Sequence, residues 1–156
     1  MKNKIAVLFF FFVNAQTVFS QIPDWRWARG ATGQGGQEAF SVATDVSGNV
    51  FMTGNFQNTI TFGTTTMTAT GLGVYLVKYD RNGNLLWARS ASGSGSLSVY
   101  CVTTDPAGNA YIAGRTGLQI NIGSYSLINS SGSLYHVFIA KYGSSGNVVW
   151  AYQAGV

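Results

Sequence analysis

The sequence is poor in the groups that do chemistry. It has one cysteine, Cys101, and one histidine, His136, in 156 residues, and only 9% of its residues are charged. A lone cysteine cannot close an intrachain disulfide, so an exported form of the chain has no internal covalent staple. Cys101 also lies too far from the N-terminus to be the lipid-bearing first residue of a lipoprotein. It stands in a strand pattern at the position matching Ser41, where a small buried core residue is expected. His136 has no cysteine or acidic neighbour in sequence. A His/Cys metal site needs several ligands, so zinc is not expected and His136 reads as a partly buried strand histidine. A Ser-His-Asp arrangement would have to use this histidine, and no serine sits in a nucleophile-elbow motif.

Acids are equally few. Beyond residue 20 they are Asp24, Glu38, Asp45, Asp80 and Asp105. The last three each open a turn of the form Asp-x-x-Gly-Asn, which gives them a structural task. Asp24 and Glu38 have no reason to pair, so a glycosidase-like carboxylate pair finds little support. The turns slightly resemble calcium loops, but each offers one acid at most, and an EF-type loop alternates oxygen ligands and ends on a glutamate. The glycines Gly33, Gly35 and Gly36 precede neither a Lys-Ser/Thr pair nor a helical pattern, so they form no phosphate loop. Helical spacing is missing over any useful length. The sequence therefore names no catalytic, cofactor-binding or metal-binding residue, and no cofactor.

Only one long apolar run exists, Ile5 to Val13, behind Lys2 and Lys4. A basic start, an apolar centre and a small-residue segment ending at Ser20 make the layout of a secretory signal peptide over residues 1–20, with cleavage after Ala15 as the second choice. Nine apolar residues are too short to cross a bilayer, which takes about 20. With residues 1–20 removed, the chain carries seven Lys and Arg against five Asp and Glu. Its basicity then gives little support to a nucleic-acid partner. No membrane span is expected after signal removal.

What the chain has in plenty is repetition. Lys78-Tyr79-Asp80-Arg81-Asn82-Gly83-Asn84-Leu85-Leu86-Trp87-Ala88-Arg89 returns as Lys141-Tyr142-Gly143-Ser144-Ser145-Gly146-Asn147-Val148-Val149-Trp150-Ala151-Tyr152. Trp27-Ala28-Arg29 is a third copy of its end. Asp45, Gly48, Asn49, Gly54 and Gly63 recur at an offset of 60 as Asp105, Gly108, Asn109, Gly114 and Gly123. Further on the offset is 63, and the three added residues fall in the region 130–134. Short alternating apolar runs between Gly and Asp/Asn turns predict an all-β chain. Strands are expected at 25–29, 40–45, 50–56, 59–62, 65–69, 74–80 and 85–91, with a loop over 30–37 and a break at Gly71 and Gly73. The turn glycines are expected at positive φ. Trp27, Trp87 and Trp150 read as core or inter-blade packing. Trp25 lies outside the period, and with Tyr100, Tyr111 and Tyr125 could form an aromatic sugar-stacking surface.

Repeats of about 60 residues with about four strands each fit β-propeller blades. The runs from Ser41 to Gly54 and from Val74 to Trp87, each present twice, resemble the bacterial β-propeller repeat family often labelled SBBP. The turn alone is also similar to NHL-type repeats. The resemblance implies a secreted or cell-surface propeller, commonly part of a longer protein, with no catalytic residue to carry over. Gly143 departs from it where Asp80 stands in the first copy, and Tyr152 departs where Arg29 and Arg89 stand. The expected organisation is a repeat segment over 21–156: repeat one at 27–86, repeat two at 87–149 and the start of a third at 150–156. Three Trp-Ala strands against two Asp-x-x-Gly-Asn-Val/Ala hairpins predict an incomplete propeller arc, completed by further blades of a longer chain or of other chains. The functional expectation is a non-enzymatic scaffold or interaction module that binds a protein or a glycan at the cell surface. A lectin-like propeller is the rival, and an exported propeller enzyme a remote one.

Overall fold

The computed structural model describes residues 24–131 and 134–154. The signal segment lies outside the described residues. The described residues form eleven β-strands and no helix: β1 (Ala31–Thr32), β2 (Gln37–Thr44), β3 (Val50–Phe62), β4 (Thr65–Tyr79), β5 (Leu85–Ser94), β6 (Leu97–Thr104), β7 (Ala110–Thr116), β8 (Gln119–Ile122), β9 (Tyr125–Ile128), β10 (His136–Tyr142) and β11 (Val148–Ala154). Two antiparallel meanders result. Blade one is β2-β3-β4-β5 and blade two is β6-β7-β10-β11. The chain is all-β, built of propeller-type blades whose sheets stay open.

The recurring turns close the hairpins as their residues demand. Asp45 Oδ1 accepts the Ser47 and Asn49 N–H groups at 3.0 Å each, and Oδ2 accepts Asn49 Nδ2 at 2.8 Å. Asp80 and Asp105 repeat the same three bonds. The fourth turn has Gly143 in place of the acid and keeps the backbone bonds, Gly146 N to Gly143 O and Gly143 N to Asn147 O, both 2.8 Å, with Ser145 Oγ donating to Asn147 Oδ1 at 2.7 Å. The turn glycines Gly48, Gly83, Gly108 and Gly146 have φ of 77°, 81°, 75° and 84°, as expected for Gly in this turn.

Two of these glycines also face an indole. A Cβ on Gly146 would lie 2.8 Å from the Trp87 ring, and one on Gly83 2.7 Å from the Trp27 ring; at Gly48 the nearest atom would be 3.7 Å away. Gly48→Ala is therefore expected to cost only the left-handed backbone penalty, about 1–2 kcal/mol. Gly146→Ala adds a wedge between the blades and should cost about 1–3 kcal/mol more. Urea denaturation of the two variants checks the ordering, and equal losses would refute it.

Four local expectations change. Residues 59–69 are not separate short strands in repeat one: β3 and β4 run on as one long hairpin past Gly71 and Gly73, with a register shift between Gln57 and Thr59. In repeat two the same hairpin stands apart as β8–β9, with Gly117 and Leu118 between β7 and β8. The expected strand at 25–29 is absent, since no described strand pairs with it. Within the expected loop over 30–37, Ala31 and Thr32 form β1 and pair with Phe62 and Thr61 of β3.

The hairpins stitch one repeat to the next. Ser92–Ser94 of β5 pairs with Gln119–Asn121 of β8, and β1 makes the matching contact with β3 one repeat earlier. Between the blades lies the main core. Phe51, Val74, Leu76 and Trp87 of blade one meet Val99, Ile112 and Phe138 of blade two. A second cluster, Phe56, Phe62, Tyr75 and Val77, lies on the other side of blade one, with Trp27 packed on it. In this structure the Trp-Ala strand is the last strand of a blade, so the sequence period starts inside a blade.

Candidate interaction face

The junction between the blades shows what the repeated residues do. Trp87 Nε1 donates to the Ser144 carbonyl at 3.0 Å, and Arg89 Nε donates to the Gly146 carbonyl at 2.9 Å. One repeat earlier, Trp27 Nε1 donates to Arg81 O at 3.1 Å and Arg29 Nε to Gly83 O at 2.7 Å. The Trp-Ala-Arg motif is thus a clamp. Its indole and guanidinium take two carbonyls of the following blade's turn. The strand pleat puts Trp and Arg on one face because they are two residues apart.

Beside the clamp lies an ion pair. Lys78 Nζ is 3.4 Å from Asp45 Oδ2, with side-chain exposures of 6% and 3%, and 3.4 Å from the Ser144 carbonyl that it also serves. It stands 4.7 Å from the Phe51 ring centroid. Four further bonds bridge the blades: Asn55 Oδ1 accepts Val99 N–H, Asn55 Nδ2 donates to Ser98 Oγ, Ser41 Oγ accepts Val102 N–H, and Thr104 Oγ1 donates to the Thr44 carbonyl.

Blade two carries the same face again, open. Lys141 Nζ lies 3.6 Å from Asp105 Oδ2, but the side chains are 22% and 24% exposed. Trp150 packs at a tilt against Tyr111 and Tyr152, with ring centroids 6.0 and 5.3 Å away. Where Val74 and Leu76 are 1% exposed, their counterparts Val137 and Ile139 are 60% and 41% exposed, and Tyr152 is 64% exposed. At one end the face sinks into a hollow of about 400 Å³, lined by Tyr100, Ala113, Arg115, Tyr135, His136 and Val137. The Arg115 guanidinium sits 4.1 Å from the Tyr135 ring centroid and 5.9 Å from that of Tyr100. The Arg115 Nε is buried with no hydrogen-bond acceptor.

The residues singled out in the sequence fall as follows. Tyr100 and Tyr111 share the open face. Tyr125 lies on β9, its hydroxyl donating to Val149 O at 2.8 Å, and Trp25 is 91% exposed, outside the strands. The expected four-aromatic surface is therefore not assembled from those four residues. Cys101 is exposed rather than buried. It lies on the open face, whereas Ser41 is half covered because blade two packs on it. His136 is buried, its ring nitrogens 2.7 Å from Ser131 Oγ and 2.6 Å from Gln153 Nε2. Glu38 and Asp24 are exposed. Among the described residues no three His, Cys, Asp or Glu side chains come together as a metal site. Sequence reasoning missed Arg115, Val137 and Ile139. The available signal was the alignment of repeat two on repeat one, which places them on Asn55, Val74 and Leu76.

The turn acids titrate low. Hydrogen bonds from Asn109, helped by Tyr111 and Lys141, hold Asp105 at about 2. The backbone and side chain of Asn84 lower Asp80. Burial pushes Asp45 up, but Asn49, Lys78 and Ser47 together bring it below its ordinary value. Each folded-state pKa lies below the unfolded one, about 3.9. The stability these turns supply is thus complete above that value and disappears as pH falls toward 2. The urea midpoint should fall steadily from pH 5 to pH 2, and Asp105→Asn should flatten the fall. A midpoint independent of pH in that range would contradict the assignment.

No family model matches the chain. The chain is similar to an uncharacterised WD repeat-containing protein of Acanthamoeba polyphaga mimivirus, 31% identical over 136 residues and covering 74% of this chain. The chain spans about a tenth of that relative's length. A relative built of WD repeats agrees with the repeated, propeller-type blades seen here.

Proposed function

We propose that the chain is a non-enzymatic β-propeller scaffold of the SBBP repeat type that binds a protein partner at the cell surface or after secretion, as part of a larger assembly of blades. The observation that carries this reading is the open face of blade two. It presents Val137, Ile139, Tyr152 and a stacked Arg115 on a rigid sheet, the composition of a protein-binding patch. The WD repeat-containing relative supports a repeat-built interaction module. Export rests on the basic and apolar layout of residues 1–20.

The test is a photocrosslinking amino acid at Ile139 in the native cell. A discrete protein adduct, lost in Val137→Asp, is the expected result. Labelling that is diffuse, or unchanged by Val137→Asp, would refute the reading. Terminal sequencing by mass spectrometry of the extracellular protein should begin at Gln21, and a product retaining Met1 would remove the export step. A second reading, glycan binding, is favoured by Tyr100 and Tyr111 on the same face. A glycan array that gives saturable binding reduced by Tyr111→Ala would replace the protein partner with a sugar.

A further inference from the structure

We propose that the open face of blade two docks the blade-one face of a second copy of this chain, head to tail, with Arg115 meeting Glu38 of the second copy. This rests on the reading of that face as an interaction face and names its partner. One such junction already exists inside the chain, and its apolar core, its ion pair and its first clamp residue recur one repeat further on.

Apolar and anchoring positions carry over directly. Phe51, Lys78, Trp87, Val74 and Leu76 become Tyr111, Lys141, Trp150, Val137 and Ile139. The receiving side is open as well at Val42 of β2, the counterpart of Val102, which is 65% exposed. The polar contacts identify the occupant more sharply. In the internal junction Asn55 meets Ser98. One repeat on, the Asn55 position is Arg115 and the Ser98 position, taken around to blade one, is Glu38. A neutral pair is replaced on both sides at once by an opposite-charge pair. Arg115 has a buried donor lacking an acceptor, and Glu38 is exposed. Tyr135 covers the Arg115 guanidinium at 4.1 Å, and a guanidinium on an aromatic ring still offers N–H groups to a carboxylate. Thr104, which donates to the Thr44 carbonyl inside the chain, is matched by Thr44 of the second copy facing the Thr104 carbonyl.

One seat is contested. Trp27 of the second copy already holds the Arg81 carbonyl that Trp150 would take, and Arg29 holds that of Gly83. Residues 24–30 have no strand pairing, whereas β11 is paired along its length with β10. The weaker segment yields, so docking exchanges Trp27 for Trp150. Tyr152 stands where Arg29 and Arg89 supply the second clamp bond, so the exchange is weak and reversible. The contact joins two different faces, so it is heterologous and grows into a ring or a filament.

Sedimentation velocity on the purified chain tests this. The weight-average mass should rise with concentration. Arg115→Glu and Glu38→Arg should each weaken association about tenfold or more, and the double reversal should recover it to within about threefold. Tyr152→Arg, which restores the clamp at an exposed position, should tighten association about tenfold. A monomer up to roughly 100 μM, far above a useful dissociation constant, would overturn the proposal. So would a double reversal as weak as the singles, or a Tyr152→Arg variant no tighter than the parent. If the crosslinked partner at Ile139 is a different protein, this inference fails while the scaffold reading stands; if no specific adduct forms, the scaffold reading fails too.

Discussion

Trp87→Ala is expected to lower the unfolding free energy by about 3–5 kcal/mol, the range for deleting a buried large aromatic. The residue is 9% exposed, packs edge-on against Phe51 at a centroid distance of 5.8 Å, and bonds the Ser144 carbonyl. Removing it opens a cavity between the blades and leaves Ser144 O with the longer bond from Lys78 Nζ, 3.4 Å. The same change at Trp150, which is half-buried, should cost about 1–2 kcal/mol in dilute solution, where its face is uncovered. The contrast is the informative part. Three sequence copies of one motif have different energetic weight because only one of them lies between two complete blades. Thermal and urea unfolding of Trp87→Ala and Trp150→Ala measure it. Losses of equal size would mean that the tryptophans act inside their own blades instead of across the junction.

The repeat was legible because turn chemistry is local. Asp45, Gly48 and Asn49 bond to one another within five residues, so their spacing alone announces the hairpin. The period of the tryptophans was equally plain. Their partner was not, since Trp27 reaches a carbonyl 54 residues away and Trp87 one 57 residues away. Nor could strand alternation tell which face of a blade is covered. Cys101 and Ser41 share a pattern, yet the first is exposed and the second half covered, because burial is decided by the neighbouring blade. The long β3–β4 hairpin went unread for a related reason. Gly71 and Gly73 look like breaks, but Gly73 pairs with Phe56, and Gly71 lies in an irregularity between the Leu72–Gln57 and Thr68–Thr59 pairs that β4 runs through. At 25–29 the reverse holds: the alternation is that of a strand, and no described strand pairs with it.

The same dependence on a neighbour sets the outcome at Lys78. Lys78→Met keeps most of the side chain's volume but leaves the Asp45 carboxylate, 3% exposed, without its counter-charge. Removing one partner of a buried pair costs about 3–5 kcal/mol. The lower end is expected, because Ser47 N, Asn49 N and Asn49 Nδ2 still bond the carboxylate. The matching change, Lys141→Met, touches a partly exposed pair and should cost under about 1 kcal/mol. pH separates charge from packing. Lys78 is one of the groups holding Asp45 below its ordinary value, so its loss raises the folded-state pKa. Stability that depends on an ionised Asp45 is then lost at a higher pH on acidification. The acid limb of Lys78→Met should therefore begin above that of the parent. Lys78→Met combined with Asp45→Asn, which removes the stranded charge while keeping a side-chain acceptor in the turn, should regain part of the loss and restore the parent's flat profile above pH 5. If the double variant is no more stable than Lys78→Met alone, the cost lies in the contact of the lysine stem with Phe51 and the ion pair contributes little.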